Sequence, residues 1–155
     1  MASRAKGTRT RHICGLLTAM LFAVSTSAVS ADGDVVAIVN AKNKIEKISL
    51  QELRLVYSLY RRSWDDGIRV FLILPEKGSS AMAYLTGEIF RRRETQDIAD
   101  YYRAAVFQQR IAIQPPTADD PRSIALVRKE RGAIALIDRA RVTDPSVRVL
   151  EISDK

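Results

Sequence analysis

"IRVFLILPEKGSSAMAYL" (Ile68–Leu85) is the stretch on which the fold turns. Ile68 to Leu74 is apolar nearly throughout, which predicts a strand covered on both faces rather than one with a wet side. Such a strand calls for helices on both sides of a sheet. The run stops at "PEKG", where Gly78 suits a sharp turn. Ser79 or Ser80 then caps a predicted helix whose apolar residues are Met82, Tyr84, Leu85, Ile89 and Phe90, with Gly87 weakening it slightly.

The sequence upstream supports the same architecture. "DVVAIVN" (Asp34–Asn40) reads as a buried strand, and "AKNKIEKI" as a polar connection. "SLQE" (Ser49–Glu52) is a capping box that opens a short helix, with Leu50, Leu53, Val56 and Tyr57 on one face. "RRSWDDG" is a turn containing Trp64, and Asp66-Gly67 signals the strand that follows.

Downstream, "TQDIADYYRAAVFQQ" predicts a helix capped by Thr95 or Asp97, with Ile98, Tyr101, Tyr102, Ala105 and Val106 inward. A proline-rich loop at Gln114–Thr117 precedes Asp120-Pro121, read as a cap with proline at the first helical position. The helix "RSIALVRKERG" ends at Gly132, and "AIALI" and "SVRVLEI" close the chain as strands. The predicted order, β-α-β-α-α-α-β-β, gives an α/β domain of three layers, a mixed sheet flanked by helices.

Residues 1–31 read as a secretory signal that is cleaved before Asp32. Arg4, Lys6, Arg9 and Arg11 precede a short apolar core, Ile13–Val24, and Val29 and Ala31 suit the cleavage motif. The apolar run falls short of the roughly 20 residues that span a bilayer. The product is expected to be periplasmic or secreted, a single domain over residues 32–155. Four basic residues and no acidic one leave with the leader, so the net charge drops from +7 to +3. The high basicity of the full chain is therefore no argument for nucleic-acid binding. His12 and Cys14, the only His and Cys, leave too. This removes disulfides, Cys or His metal sites and Ser-His-Asp or Cys-His catalysis from consideration. No cofactor is expected.

The Leu74–Ser80 junction is the candidate site. A helix start offers amides without intrahelical partners and a partial positive charge, both of which suit an oxyanion. Gly78 allows close approach, Ser79 and Ser80 bring hydroxyls, and Lys77 brings a cation. Glu76 repels a fully ionised anion but accepts a proton from a partly protonated one such as hydrogen phosphate. A plain capped turn needs only Gly78 and one serine. Arg61 and Arg62 either supply a guanidinium to the anion or belong to an ordinary charged turn over Trp64. Arg91, Arg92 and Arg93 form either a phosphate or headgroup patch or a solvated helix end. Asp119 and Asp120 are too few ligands for a cation site. A Lys77–Ser79 nucleophilic pair lacks an evident oxyanion hole.

From Val35 to Leu150 the ordered set "VAIVN", "SLQELRLVYSLYRRSWDDG", "VFLILPEKGSSAMAYL" and "RGAIALID" resembles small periplasmic phosphate-binding-protein-like domains. The resemblance implies a single lobe of the periplasmic-binding fold and a non-enzymatic solute-binding protein of the phosphate-transporter type. Its partners would be phosphate or a similar oxyanion and an inner-membrane transporter or envelope sensor. The anion loop falls on Gly78, Ser79 and Ser80. Departures from the family pattern are Ser80 for a second glycine, Ala81 for threonine, Lys77 for an aspartate and Pro75 for an arginine. The alternative implied by these departures is a ligand-free interaction or sensing module with a degenerate pocket.

Overall fold

A computed structural model describes residues 34–91 and 95–153. The predicted leader, with His12 and Cys14, lies outside them, as do Arg92 and Arg93. The elements are β1 (Val35–Asn40), β2 (Lys47–Ser49), α1 (Leu50–Tyr57), β3 (Phe71–Leu72), β4 (Leu74–Pro75) and α2 (Ser80–Tyr84). α2 runs on as a π-helical turn, Leu85–Ile89. Then come α3 (Gln96–Phe107), β5 (Thr117–Ala118), α4 (Asp120–Lys129), β6 (Ala133–Asp138), a 3-10 turn (Arg139–Arg141) and β7 (Val147–Ser153).

Five strands form a mixed sheet in the order β2-β7-β1-β6-β3. β1 is antiparallel to both neighbours, while β2–β7 and β3–β6 are parallel. Strand alternation then sorts the apolar residues onto two faces. Ala37 and Val39 of β1 join Ile134 and Leu136 of β6 in a core roofed by α1, α2 and α3. Val36 and Ile38 join Ala133, Ala135 and Ile137 on the other face, under Val127 of α4. This is the expected three-layer arrangement, with the sheet between helices.

Asn40 ties α4 to the sheet. The last carbonyls of a helix have no intrahelical partner. The Asn40 Nδ2 donates to two of them, Val127 O at 2.9 Å and Arg128 O at 2.8 Å, while its Oδ1 accepts from the Lys42 amide at 2.9 Å. The side chain is buried, so water does not replace it readily. Asn40→Ala is expected to cost about 2 kcal/mol, the usual cost of stranding buried polar groups, measurable by urea denaturation.

Several local expectations shift. The strand over Ile68–Leu74 is extended but divided, because the chain changes partner. Phe71 and Leu72 pair with β6, whereas Leu74 and Pro75 pair with β5. The prediction that both faces are covered holds: Leu72 and Leu74 face one core and Ile73 the other. The polar connection contains β2, and the proline-rich loop leads into β5. Both strands are too short to show alternation in sequence. The cap of α4 is Asp119, one residue earlier than predicted; its carboxylate accepts from the Arg122 amide. α4 stops at Lys129, before Gly132. Thr95 precedes α3 without a side-chain capping bond.

Candidate functional site

Ser79 is the cap of α2. Its hydroxyl accepts from the Met82 amide at 3.1 Å and donates to the Glu76 carbonyl at 2.7 Å. Gly78 takes φ +86, a left-handed value that glycine adopts without strain, and the space a Cβ would occupy is open. Ser80 and Ala81, the first two helical residues, have amides with no hydrogen-bond acceptor among the described residues. Glu76, Lys77 and Gly78 are exposed, and Lys77 forms no ion pair among the described residues. The Ser79 hydroxyl proton goes to a carbonyl, not to a base, so the geometry does not prepare a nucleophile.

The parallel β4–β5 pair explains why this junction is not alone. Both strands point the same way and each feeds a helix, so the starts of α2 and α4 lie side by side. Between them is an open hollow of about 710 Å³, lined by Glu76, Ser79, Asp119, Asp120, Arg141 and Asp144 among others. A smaller hollow of about 180 Å³ joins Glu76 to Thr117, Asp119 and Arg122. Sequence reasoning located Ser79 and Glu76 but missed Arg141 and Asp144, and did not connect Asp119 with this junction. The recoverable signal was the second cap motif, "TADDP", following a short extended segment.

The hollow is mostly acidic. Burial pushes the Asp120 carboxyl above its ordinary range, and nearby Asp138 adds to this while Arg141 opposes it. Hydrogen bonds from Ser146 hold Asp144 below its ordinary range. Four carboxylates facing the space disfavour a fully ionised anion. They favour a species that can donate a proton to one of them. Among the described residues no three acidic, His or Cys side chains group closely enough to hold a metal ion.

Arg61 and Arg62 are engaged elsewhere. Arg61 bonds Glu52 at 3.0 Å, pairs with Asp65, and stacks over Trp64 with its guanidinium 5.7 Å from the ring centroid. The capping amide of Ser49 lowers the Glu52 carboxyl's pKa, with Arg61 adding to that. Arg62 donates to Leu59 O at 3.2 Å. Arg61 lines a separate hollow with Asn43 and Lys44, so neither arginine shares the Glu76–Ser79 space.

No family model and no curated protein sequence matches the chain. Solved structures do. An ABC-type phosphate transport receptor from Vibrio cholerae superposes with a TM-score of 0.58 at 15% identity, over 77% of this chain and 46% of the receptor. A phosphate ABC transporter substrate-binding protein from Clostridium perfringens, with bound phosphate, gives 0.58 at 16% identity, over 79% of this chain and 45% of its own. PstS from Borrelia burgdorferi gives 0.55 at 13% identity, over 77% and 47%. The chain has the fold of one periplasmic-binding-protein-like lobe. That lobe spans under half the length of each of these receptors. At such identities the likeness speaks for the fold. Among the described residues of the lobe, no helix is long and apolar enough to cross a membrane.

Proposed function

We propose that the protein is a secreted, periplasmic solute-binding lobe that captures an oxyanion, singly ionised phosphate, at the start of α2. The observation that carries this reading is a helix start whose Ser80 and Ala81 amides have no acceptor among the described residues, capped by Ser79, which lines a hollow at the mouth of two parallel strands. Lys77 adds long-range attraction, and Glu76 or Asp119 accepts the proton of dihydrogen phosphate. The lobe is not an enzyme in this reading. It hands its ligand to an inner-membrane transporter or signals to an envelope sensor.

Thermal unfolding with phosphate and sulfate at pH 6 and pH 8 tests the proposal. Phosphate at a hundred times its dissociation constant is expected to add about 2.7 kcal/mol of stability. The gain should be larger at pH 6, where more phosphate is singly ionised, and sulfate, with no proton to give, should add little. Ser80→Pro isolates the amide. Proline is accepted at the first helical position, and Ser79 already has the extended backbone (φ −77, ψ 157) that precedes proline. The variant should fold normally and bind phosphate about tenfold more weakly, the cost of one hydrogen bond to a charged group.

A second reading is a lobe without a small ligand that binds an envelope protein. It is favoured by the Ser79 hydroxyl, already satisfied on both sides, and by the acidic rim. The absence of any phosphate shift at millimolar concentration at either pH would select it.

A further inference from the structure

A groove separate from the α2 hollow lies beside β3, the last strand of the five-stranded sheet. The amides of Phe71 and Ile73 point toward β6, where they reach Gly132 O and Ile134 O, both at 3.0 Å. Leu72 therefore directs its amide and carbonyl away from the sheet. Just beyond, β4 pairs with β5 in parallel, and the Leu74 amide reaches Pro116 O at 2.8 Å. Carried back one step, that ladder would bring the Pro116 nitrogen to Leu72 O and Gln114 O to the Leu72 amide. Neither bond forms. Pro116 has no N–H to give. The chain before it lies against α3, where the Ile111 amide meets Ala105 O at 3.4 Å and the Gln114 side chain reaches Ala99 O at 3.5 Å. Leu72 is only 7% exposed, yet its amide has no acceptor among the described residues. Folded chains seldom leave a buried amide in that state.

Leu72 lines a groove of about 600 Å³, walled by Ile68, Phe71, Ile111, Ile113, Pro115 and Pro116. That volume falls within the roughly 300–1,000 Å³ of small-molecule pockets. A further strand does not fit. Arg62 O closes the edge at Val70 and Pro116 O closes it at Leu74, both at 2.8 Å, with Pro115 between. What remains is room for a compact molecule beside a single residue. The charged groups on the walls cancel. Arg69 and Glu130 are of opposite sign, and Arg131 is paired with Asp66 at 3.3 Å. The lining therefore favours neither an anion nor a cation, and either would lose its hydration against Ile68 and Phe71. A neutral acceptor loses far less and can take up the Leu72 amide.

We propose that the groove binds a small, uncharged and largely apolar molecule carrying one hydrogen-bond acceptor, the chemistry of a ketone, ester or lactone. Its carbonyl accepts from the Leu72 amide, and its hydrocarbon part lies against Ile68, Phe71 and Ile113. A single acceptor is enough, because the Leu72 carbonyl is on the side of Pro116. The groove shares no lining residue with the hollow at the start of α2, so the site stands or falls independently of the phosphate reading.

The probes are three molecules of equal chain length, 2-octanone, octanoate and octylammonium, titrated into 15N-labelled protein. 2-Octanone is expected to shift the Leu72 amide saturably downfield and to slow its hydrogen exchange. Octanoate and octylammonium should bind about tenfold more weakly, since each must bring a charge to an apolar wall. Arg69→Glu, at an exposed position, should leave 2-octanone binding unchanged. Ala112→Trp, also at an exposed lining position, should fill the groove and abolish binding without changing the melting temperature. No saturable shift at Leu72 up to the solubility limit of 2-octanone overturns the proposal and leaves the amide to water. So does a charged analogue that binds as tightly as the ketone, or a folded Ala112→Trp variant that binds it unchanged.

Discussion

Gly132→Ala lowers stability by about 3 kcal/mol, the upper end of what overpacking costs, and drops the melting temperature on the order of 10 °C. A Cβ at this position would lie 2.0 Å from the Arg69 carbonyl oxygen and 3.0 Å from Ile68 Cγ2. The first obstacle is backbone, which cannot swing aside as a side chain can. Moving Arg69 would also disturb its bridge to Ser63, while Gly132 O receives both the Phe71 amide and the Trp64 indole. The cost therefore spreads from one methyl group to the junction of β3, β6 and the Trp64 turn. Thermal unfolding followed by circular dichroism measures it; a loss under 1 kcal/mol would mean that the two backbones do not approach as described.

Trp64→Ala costs about 4 kcal/mol, within the range for deleting a large buried aromatic side chain. Trp64 is 4% exposed, belongs to the core under α1, α2 and α3, and lies beneath the Arg61 guanidinium. Trp64→Phe separates packing from hydrogen bonding. The indole Nε1 donates to Gly132 O at 3.0 Å, but that carbonyl also accepts from Phe71 at 3.0 Å, so losing the indole does not orphan it. The Phe variant should therefore cost only about 1 kcal/mol beyond its smaller volume. Trp64 is the chain's single tryptophan, so its fluorescence follows unfolding of the native protein, while circular dichroism serves for the variants.

The legible parts of this fold were those governed by neighbours in sequence. Ser49 and Glu52 form the capping box, with reciprocal bonds near 3 Å, because a cap needs only residues three apart. Ser79 caps α2 for the same reason. The apolar run Ile68–Leu74 announced a sheet with both faces covered, since a strand without polar alternation has no face to give to water. Of the two tyrosines of α3, Tyr102 is buried and Tyr101 half-buried, and their hydroxyls reach Tyr57 O and Ser58 O. Periodicity fixed the buried face; it held no information about the carbonyls those hydroxyls would meet.

The site divides along the same line. Turn chemistry at Gly78 and the cap at Ser79 were written locally. The hollow was not, because it forms only when β4 and β5 pair across more than forty residues and carry two helix starts to one rim. Arg61 illustrates the limit from the other side. A guanidinium near a candidate anion site in sequence goes instead to Glu52 and Asp65, since the fold turns it over Trp64.

What the sequence determined by itself was the identity of the layers, the helix starts and the exclusion of thiol and imidazole chemistry from residues 32–155. These follow from side-chain type and spacing, which act over a few residues. Only the tertiary structure decided which strand edges are closed, which carboxylates face the α2 junction and where the unpaired Leu72 backbone lies. Each of those depends on partners brought together from distant parts of the chain. Such pairings depend on the packing of the whole domain, and no local pattern encodes them.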